Sequence, residues 1–168
     1  MVTIRSETPR DVEAIRRVNR AAFATRFEAD LVDALRAQAH PLVSLVADEG
    51  GEAVGHILFS PVALTNGAGV NLMGLAPMAV LPALQRRGVG SALVRAGLEA
   101  CAHQGCAAVV VLGHREFYPR FGFVPASRFG IVSEYDVPDD VFMAIELVPG
   151  SLIGRSGTIR YHPAFAQG

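Results

Sequence analysis

Residues 72–112 constrain the fold more than any other stretch. "NLMGLAPMAVL" reads as a strand interrupted by Pro77, "QRRGVG" as a turn, Gly88 to about His103 as a helix, and "CAAVVVLG" as a second strand. Two strands joined through a helix are expected to pair in parallel, by a right-handed crossover. The second strand is apolar without alternation, the pattern of a strand covered on both faces. Along the helix Val89, Leu93, Ala96 and Ala100 share one face, with Val94, Leu98 and Cys101 beside it. Proline has no N–H for a ladder, so the first strand should be bulged or partly unpaired at Pro77.

The flanking segments add antiparallel pairs. "TIRSET" alternates like a short strand, and Thr8 with Pro9 starts a helix running to about Phe23. "EADLVDALRAQ" is a second helix with Leu31, Ala34 and Leu35 on one face. "LVSLVAD" and "EAVGHILFSPVAL" are strands either side of Gly50 and Gly51, which have hairpin-turn chemistry. "REFYPRF" is a turn or two of helix at most, and "GFVPA" and "DVFMAIELV" are closing strands. The tail from Pro149 to Gly168 shows no clear periodicity. The fold class is therefore α/β: a mixed, mostly antiparallel central sheet of about seven strands flanked by helices and splayed at the middle. The splay is expected between the strand ending near Val80 and the strand starting near Ala107.

The 168 residues suit one domain, 1–168, with its core over about 3–148 and a C-terminal extension at 149–168. A formal net charge of −1 argues against nucleic-acid binding by bulk electrostatics. No stretch approaches the ~20 apolar residues of a membrane helix, and the N-terminus is unlike a signal peptide, so a cytoplasmic location is expected. Cys101 and Cys106 lie inside apolar elements and read as buried thiols in a reducing compartment. His40, His56, His103, His114 and His162 are scattered, and no metal is expected.

Gly88 and Gly90 stand where a helix begins. A helix N-terminus carries unpaired N–H groups and partial positive charge, glycines let a phosphate approach closely, and Arg86 and Arg87 add mobile charge. The segment suits a pyrophosphate. It is not a P-loop, which needs Gly-Lys-Ser/Thr, nor a Rossmann turn, whose third glycine is replaced by Leu93. On this segment alone, a flexible loop with a solvated arginine pair remains the other reading.

With its surroundings the segment carries a family resemblance. "LAPMAVLPALQRRGVG", the helix after it and "FYPRFGF" together resemble the GNAT superfamily of acyl-CoA-dependent N-acetyltransferases. Gln85, Gly88 and Gly90 match its Gln/Arg-x-x-Gly-x-Gly/Ala signature, and Tyr118, Gly122 and Phe123 its Tyr-x-x-x-Gly-Phe pattern. The order of elements from about 3 to 148 agrees, and the tail resembles that of a bacterial subgroup of N-acetyltransferases. The resemblance implies that Gln85, Arg86, Arg87, Gly88, Val89, Gly90 and Ser91 wrap the pyrophosphate of acetyl-CoA. It also implies that Met78, Ala79 and Val80 pair with the pantetheine arm. The activity implied is transfer of an acetyl group to a primary amine of a small molecule, peptide or protein, by direct attack on the thioester. A non-catalytic acyl-CoA-binding or regulatory domain on the same fold is the alternative.

A free N–H near Ala79 or Val80 would serve the developing oxyanion. Tyr118, with a phenol pKa ordinarily about 10, would protonate the departing thiolate. The glutamate that many relatives place on the bulged strand is missing, so Glu28, His56, His114 or water is left as general base. Glu134, Asp136, Asp139 and Asp140 form an acidic stretch that would attract a cationic amine, or a solvated loop. Phe117, Phe121, Phe129 and Phe142 line an apolar pocket or fill the core. The partners expected are acetyl-CoA and an amine, with neither nucleic acid nor membrane, in a monomer or homodimer.

Overall fold

Gly50 and Gly51 both take positive φ, 63° and 92°. Left-handed geometry at both central residues makes a two-residue hairpin turn matched to strand twist. It joins β2 (Val43–Glu49) to β3 (Glu52–Leu64), and β1 (Val2–Ser6) pairs antiparallel on the far side of β2. The structure, a computed structural model, describes residues 1–67 and 69–167.

β3 pairs antiparallel with β4 (Leu72–Val80), and β4 pairs in parallel with β5 (Ala108–Leu112). The helices are α1 (Val12–Ala22), α2 (Phe27–Gln38) and the crossover helix α3 (Val89–His103). Beyond β5 come β6 (Val124–Pro125), β7 (Ile131–Ser133), β8 (Phe142–Glu146) and β9 (Gly157–Arg160). The sheet has nine strands in the order β1-β2-β3-β4-β5-β8-β6, with β9 bridging the far end of β3 to β7. The sequence showed seven. β7 and β9, of three and four residues, are too short to display alternation, so the C-terminal extension hid a strand. Among the described residues no helix is long and apolar enough to cross a membrane.

The bulge falls at Pro77. Ile57 faces Met78 and Phe59 faces Leu75, so the single residue Leu58 stands opposite both Ala76 and Pro77. On its other edge β4 pairs with β5 only from Leu72 to Leu75, against Ala108 to Val111. From Ala76 to Val80 that edge has no strand partner among the described residues. This is the splay expected from the sequence.

α3 lies on one face of the sheet and its glycines and partners set how close. A Cβ at Gly97 would stand 2.2 Å from Cε1 of Phe59, and one at Gly55 3.2 Å from Cγ1 of Val89. Only hydrogen fits at Gly97, so the helix presses onto β3 and its N-terminus is fixed beside the end of β4. Gly97, rather than Ala96 or Ala100, is the buried centre of the face. Val109 and Val111 of β5 pack under α3, while Ala108 and Val110 pack into a second cluster with Leu64, Leu152 and Ile159. Burial on both faces is why β5 reads as unbroken apolar sequence. α1 and α2 cover Val46 and Leu58 on the side away from α3. Cys101 and Cys106 are free thiols and buried.

Candidate active site

The end of β4 exposes backbone, and one hydrogen bond fixes which groups. Leu81 N–H donates to Val54 O at 2.9 Å, so Leu81 turns toward β3. Successive residues of a strand alternate, so Ala79 also turns toward β3, while Met78 and Val80 direct their N–H and C=O into the gap. The trio expected from the sequence therefore divides: Met78 and Val80 face the gap and Ala79 does not. The Gln85 side-chain amide donates to Val80 O at 3.0 Å. Gln85 thus ties the loop to the strand edge, a role its place in the motif did not reveal.

The loop has two left-handed residues, Arg86 at φ 65° and Gly88 at φ 83°. Among the described residues, no protein group accepts from the backbone N–H groups of Arg86 to Ser91. A Cβ at Gly88 would meet nothing within 4 Å, so backbone conformation is what calls for glycine there. A Cβ at Gly90 would make ordinary contacts, 3.5 Å to Cε of Met78 and 3.8 Å to Cζ of Phe117. The packing of the protein itself does not require glycine at 90. At Arg86 left-handed geometry costs roughly 1 kcal/mol, offset in part by the ~0.5 kcal/mol that glycine would lose in entropy on folding. Arg86→Gly should therefore raise the unfolding free energy by about 0.5 kcal/mol in a denaturant titration; a loss of stability would show that the side chain holds the loop.

Tyr118 begins a short 3-10 turn, Tyr118–Phe121, just past β5. His114 O accepts from Phe117 N–H at 3.1 Å and Tyr118 N–H at 3.4 Å, and Gly122 at φ 104° closes the turn. The phenol ring lies against Gly113, where a Cβ would stand 2.5 Å from its Cε2. The rings of Phe117 and Phe123 meet it edge-on at 5.0 and 5.6 Å. The ring is buried, but the hydroxyl has no acceptor among the described residues and is not sealed from solvent. Burial pushes its pKa up to about 12, so it is protonated at neutral pH. Phe117 touches both Tyr118 and the space beside Gly90, and so brings the tyrosine turn to the glycine loop.

The structure separates the base candidates. His56 is fully buried, with Nε2 2.9 Å from Ser44 Oγ. Ser44 donates its own proton to Glu7, so Nε2–H donates to Ser44 and Nδ1 is left bare, sealed and without a partner. Burial lowers the His56 pKa to about 4, the nearby Glu7 carboxylate opposing. Burial pushes Glu7 upward, but Arg36 and Ser44 outweigh it and hold it below the usual range. A sealed imidazole of low basicity does not suit a general base at neutral pH. It does shape stability. Between about pH 6.5 and about 4 the unfolded chain takes up a proton that folded His56 refuses, so this contribution is full above 6.5 and lost as pH falls to 4. His56→Gln keeps a donor for Ser44 and should flatten that acid limb in urea titrations; an unchanged limb would assign it to other groups.

Glu28 opens α2 and accepts from the Thr25 hydroxyl at 3.1 Å, and His114 is exposed at the end of β5. The acidic stretch is largely engaged: Asp140 pairs with Arg115, Asp139 accepts from Ser127, and Glu134 accepts from Tyr161 N–H. Phe129 and Phe142 belong to the core under the C-terminal strands, and Phe117 and Phe121 flank the α3 side, so the four phenylalanines do not line one pocket. Two clefts lie away from the gap. One of about 310 Å³ is lined by Glu7, Arg36 and Ser44, and one of about 410 Å³ lies between α2 and Ala164. The gap at β4 runs along an unpaired strand edge.

Comparison with known proteins places these features in a wider group. The model of the acetyltransferase (GNAT) family matches residues 12–123. The uncharacterized N-acetyltransferase YjhQ of Escherichia coli K12 is 43% identical over 134 residues, covering 77% of this chain and 74% of that protein. The uncharacterized N-acetyltransferase YhbS of the same strain is 34% identical over 163 residues, covering 96% and 97%. The crystal structure of Escherichia coli YhbS in complex with CoA superimposes with a TM-score of 0.92 at 33% identity, over 99% of this chain and 92% of that one. A GNAT family acetyltransferase from Brucella melitensis in complex with acetyl-CoA gives 0.80 at 37% identity, over 98% of each.

Proposed function

The chain belongs to the GNAT acetyltransferase family, and from that premise we propose that it transfers an acetyl group from acetyl-CoA to a primary amine by direct attack on the thioester. The observation that carries the reading is the unpaired edge of β4, where Met78 and Val80 turn backbone groups into a gap that ends at the free N–H groups of the α3 N-terminus. The CoA and acetyl-CoA held by the two solved relatives support it.

The pantetheine arm has amides of its own and completes the sheet along Met78 and Val80 as an added strand would. The pyrophosphate lies over the N–H groups of Arg87 to Ser91, where the helix field favours negative charge. As the amine nitrogen attacks, negative charge grows on the thioester oxygen, and a strand-edge N–H of Met78 or Val80 is the donor for it. The C–S bond then breaks, the thiolate leaves, and the Tyr118 hydroxyl donates toward it. The amine must arrive neutral or lose its proton on the way; with His56 sealed, Glu28, His114 or water takes that proton.

The Tyr118 hydroxyl, protonated and without a protein acceptor, favours an enzyme over a binding domain. Incubation with acetyl-CoA and a panel of primary amines, followed by free-thiol release, tests this. Turnover of an amine above the hydrolysis rate is the expected result. Tight acetyl-CoA binding with no turnover across small amines, peptides and proteins would convert the assignment to a regulatory acyl-CoA-binding domain.

A further inference from the structure

Two arginines beside the glycine loop are held on aromatic rings. The Arg95 guanidinium carbon, on α3, lies 4.9 Å from the centroid of the Phe121 ring, and that of Arg120 lies 4.9 Å from the centroid of Phe117. The two phenyl rings themselves meet edge-on at 5.1 Å. Phe117 is the residue whose ring borders Gly90, so the pair of stacks begins at the mouth of the loop. Both arginines are exposed, and neither meets a carboxylate among the described residues. Arg115, nearby in sequence, is by contrast taken by Asp140.

Stacking on a ring holds a guanidinium by its face and leaves its N–H groups free at the edge. A planar fork of that kind recognises phosphate. The long side chain has also given up part of its rotamer freedom to the ring, so less is lost when an anion arrives. CoA carries negative charge in two places, the pyrophosphate and the 3′-phosphate of its ribose. The helix end supplies N–H groups for the first and nothing for the second.

We infer that Arg95 and Arg120, stacked on Phe121 and Phe117, form a subsite for the ribose 3′-phosphate of the acyl donor. The subsite rests on the acetyl-CoA reading and extends it. It selects CoA thioesters over donors that share the pantetheine arm but lack the ribose phosphate. Exposed charge pairs are individually weak, so the expected preference is modest, about fivefold for the two arginines together.

Calorimetric titration of CoA and of 3′-dephospho-CoA tests it, using the wild-type chain and the Arg95→Gln, Arg120→Gln double variant. The wild type should bind CoA about fivefold more tightly than 3′-dephospho-CoA. The double variant should bind the two equally, with 3′-dephospho-CoA affinity unchanged. Equal binding of both compounds by the wild type would overturn the subsite while leaving the acetyl-CoA reading intact. So would a double variant that keeps the wild-type preference, or one that weakens both ligands alike. Failure of the wild type to bind either compound would overturn both.

Discussion

Tyr118→Phe should lower kcat by roughly 10²-fold or more and leave acetyl-CoA affinity near wild type. The substitution deletes one O–H and keeps the ring against Gly113, Phe117 and Phe123. The hydroxyl has no protein acceptor, so its removal leaves no orphaned partner, and the unfolding free energy should stay within ~0.5 kcal/mol of wild type. A phenol near pKa 12 is a weaker acid than a thiol of about 8.5. Complete transfer in water would run uphill. In the gap the leaving thiolate is itself desolvated, which raises its basicity and narrows the mismatch. A phenol that donates a strong hydrogen bond as charge reaches the sulfur stabilises the transition state before any transfer is complete. Removing a donor of this kind costs about 10²–10³ in rate. Stopped-flow thiol release under conditions where chemistry limits turnover is the measurement, and a wild-type kcat would take Tyr118 out of the mechanism.

Gly90→Val should weaken acetyl-CoA binding at least tenfold, about 1.4 kcal/mol, in a protein that still folds. Gly90 is inside α3 and has no left-handed φ, so a side chain is conformationally acceptable. Its Cβ would rest at 3.5 Å from the end of the flexible Met78 side chain. Replacing glycine in a helix also recovers backbone entropy, which offsets the cost of a β-branched residue. On the proposed binding mode, the valine obstructs the approach of a phosphate to the N–H groups of Gly90 and Ser91. Gly88→Val is a poorer test, because the left-handed φ of 83° would mix strain with lost binding. Calorimetry on Gly90→Val decides: an unchanged dissociation constant would remove the α3 N-terminus from the donor site.

Features set by local chemistry were legible in the sequence. Gly50–Gly51 announced a hairpin, Pro77 announced a bulge, and the uniform apolarity of β5 announced cover on both faces. Features set by a distant partner were not. β7 and β9 exist because Ile131 to Ser133 lie beside Gly157 to Ile159, and nothing inside either segment says so. Which of Met78, Ala79 and Val80 faces the gap depends on the bond from Leu81 to Val54. His56 read as a base candidate because a histidine's burial and the lock made by Ser44 and Glu7 come from other elements. The acidic stretch reads in the sequence as a rim for a cationic amine or a solvated loop, because Arg115, Ser127 and Tyr161, which engage it, are scattered along the chain. The stack of Arg95 on Phe121 joins α3 to the turn after β5 and leaves no mark on local periodicity.

The short ladder between β4 and β5 has a mechanical consequence. Leu72 to Leu75 against Ala108 to Val111 is a joint four pairs long at one end of two diverging strands, the arrangement of a pair of callipers. From Leu75 to Val80 the arm extends ~16 Å, so a rotation of about 4° at the joint moves the tip by ~1 Å. A shift of that size is enough to spoil the alignment of reacting atoms. The joint is wedged: a Cβ at Gly74 would stand 2.9 Å from Val62 and 3.4 Å from the ring of Tyr161, which comes from the C-terminal extension. A substitution at Tyr161 would act on this joint from the end of the ladder opposite the gap.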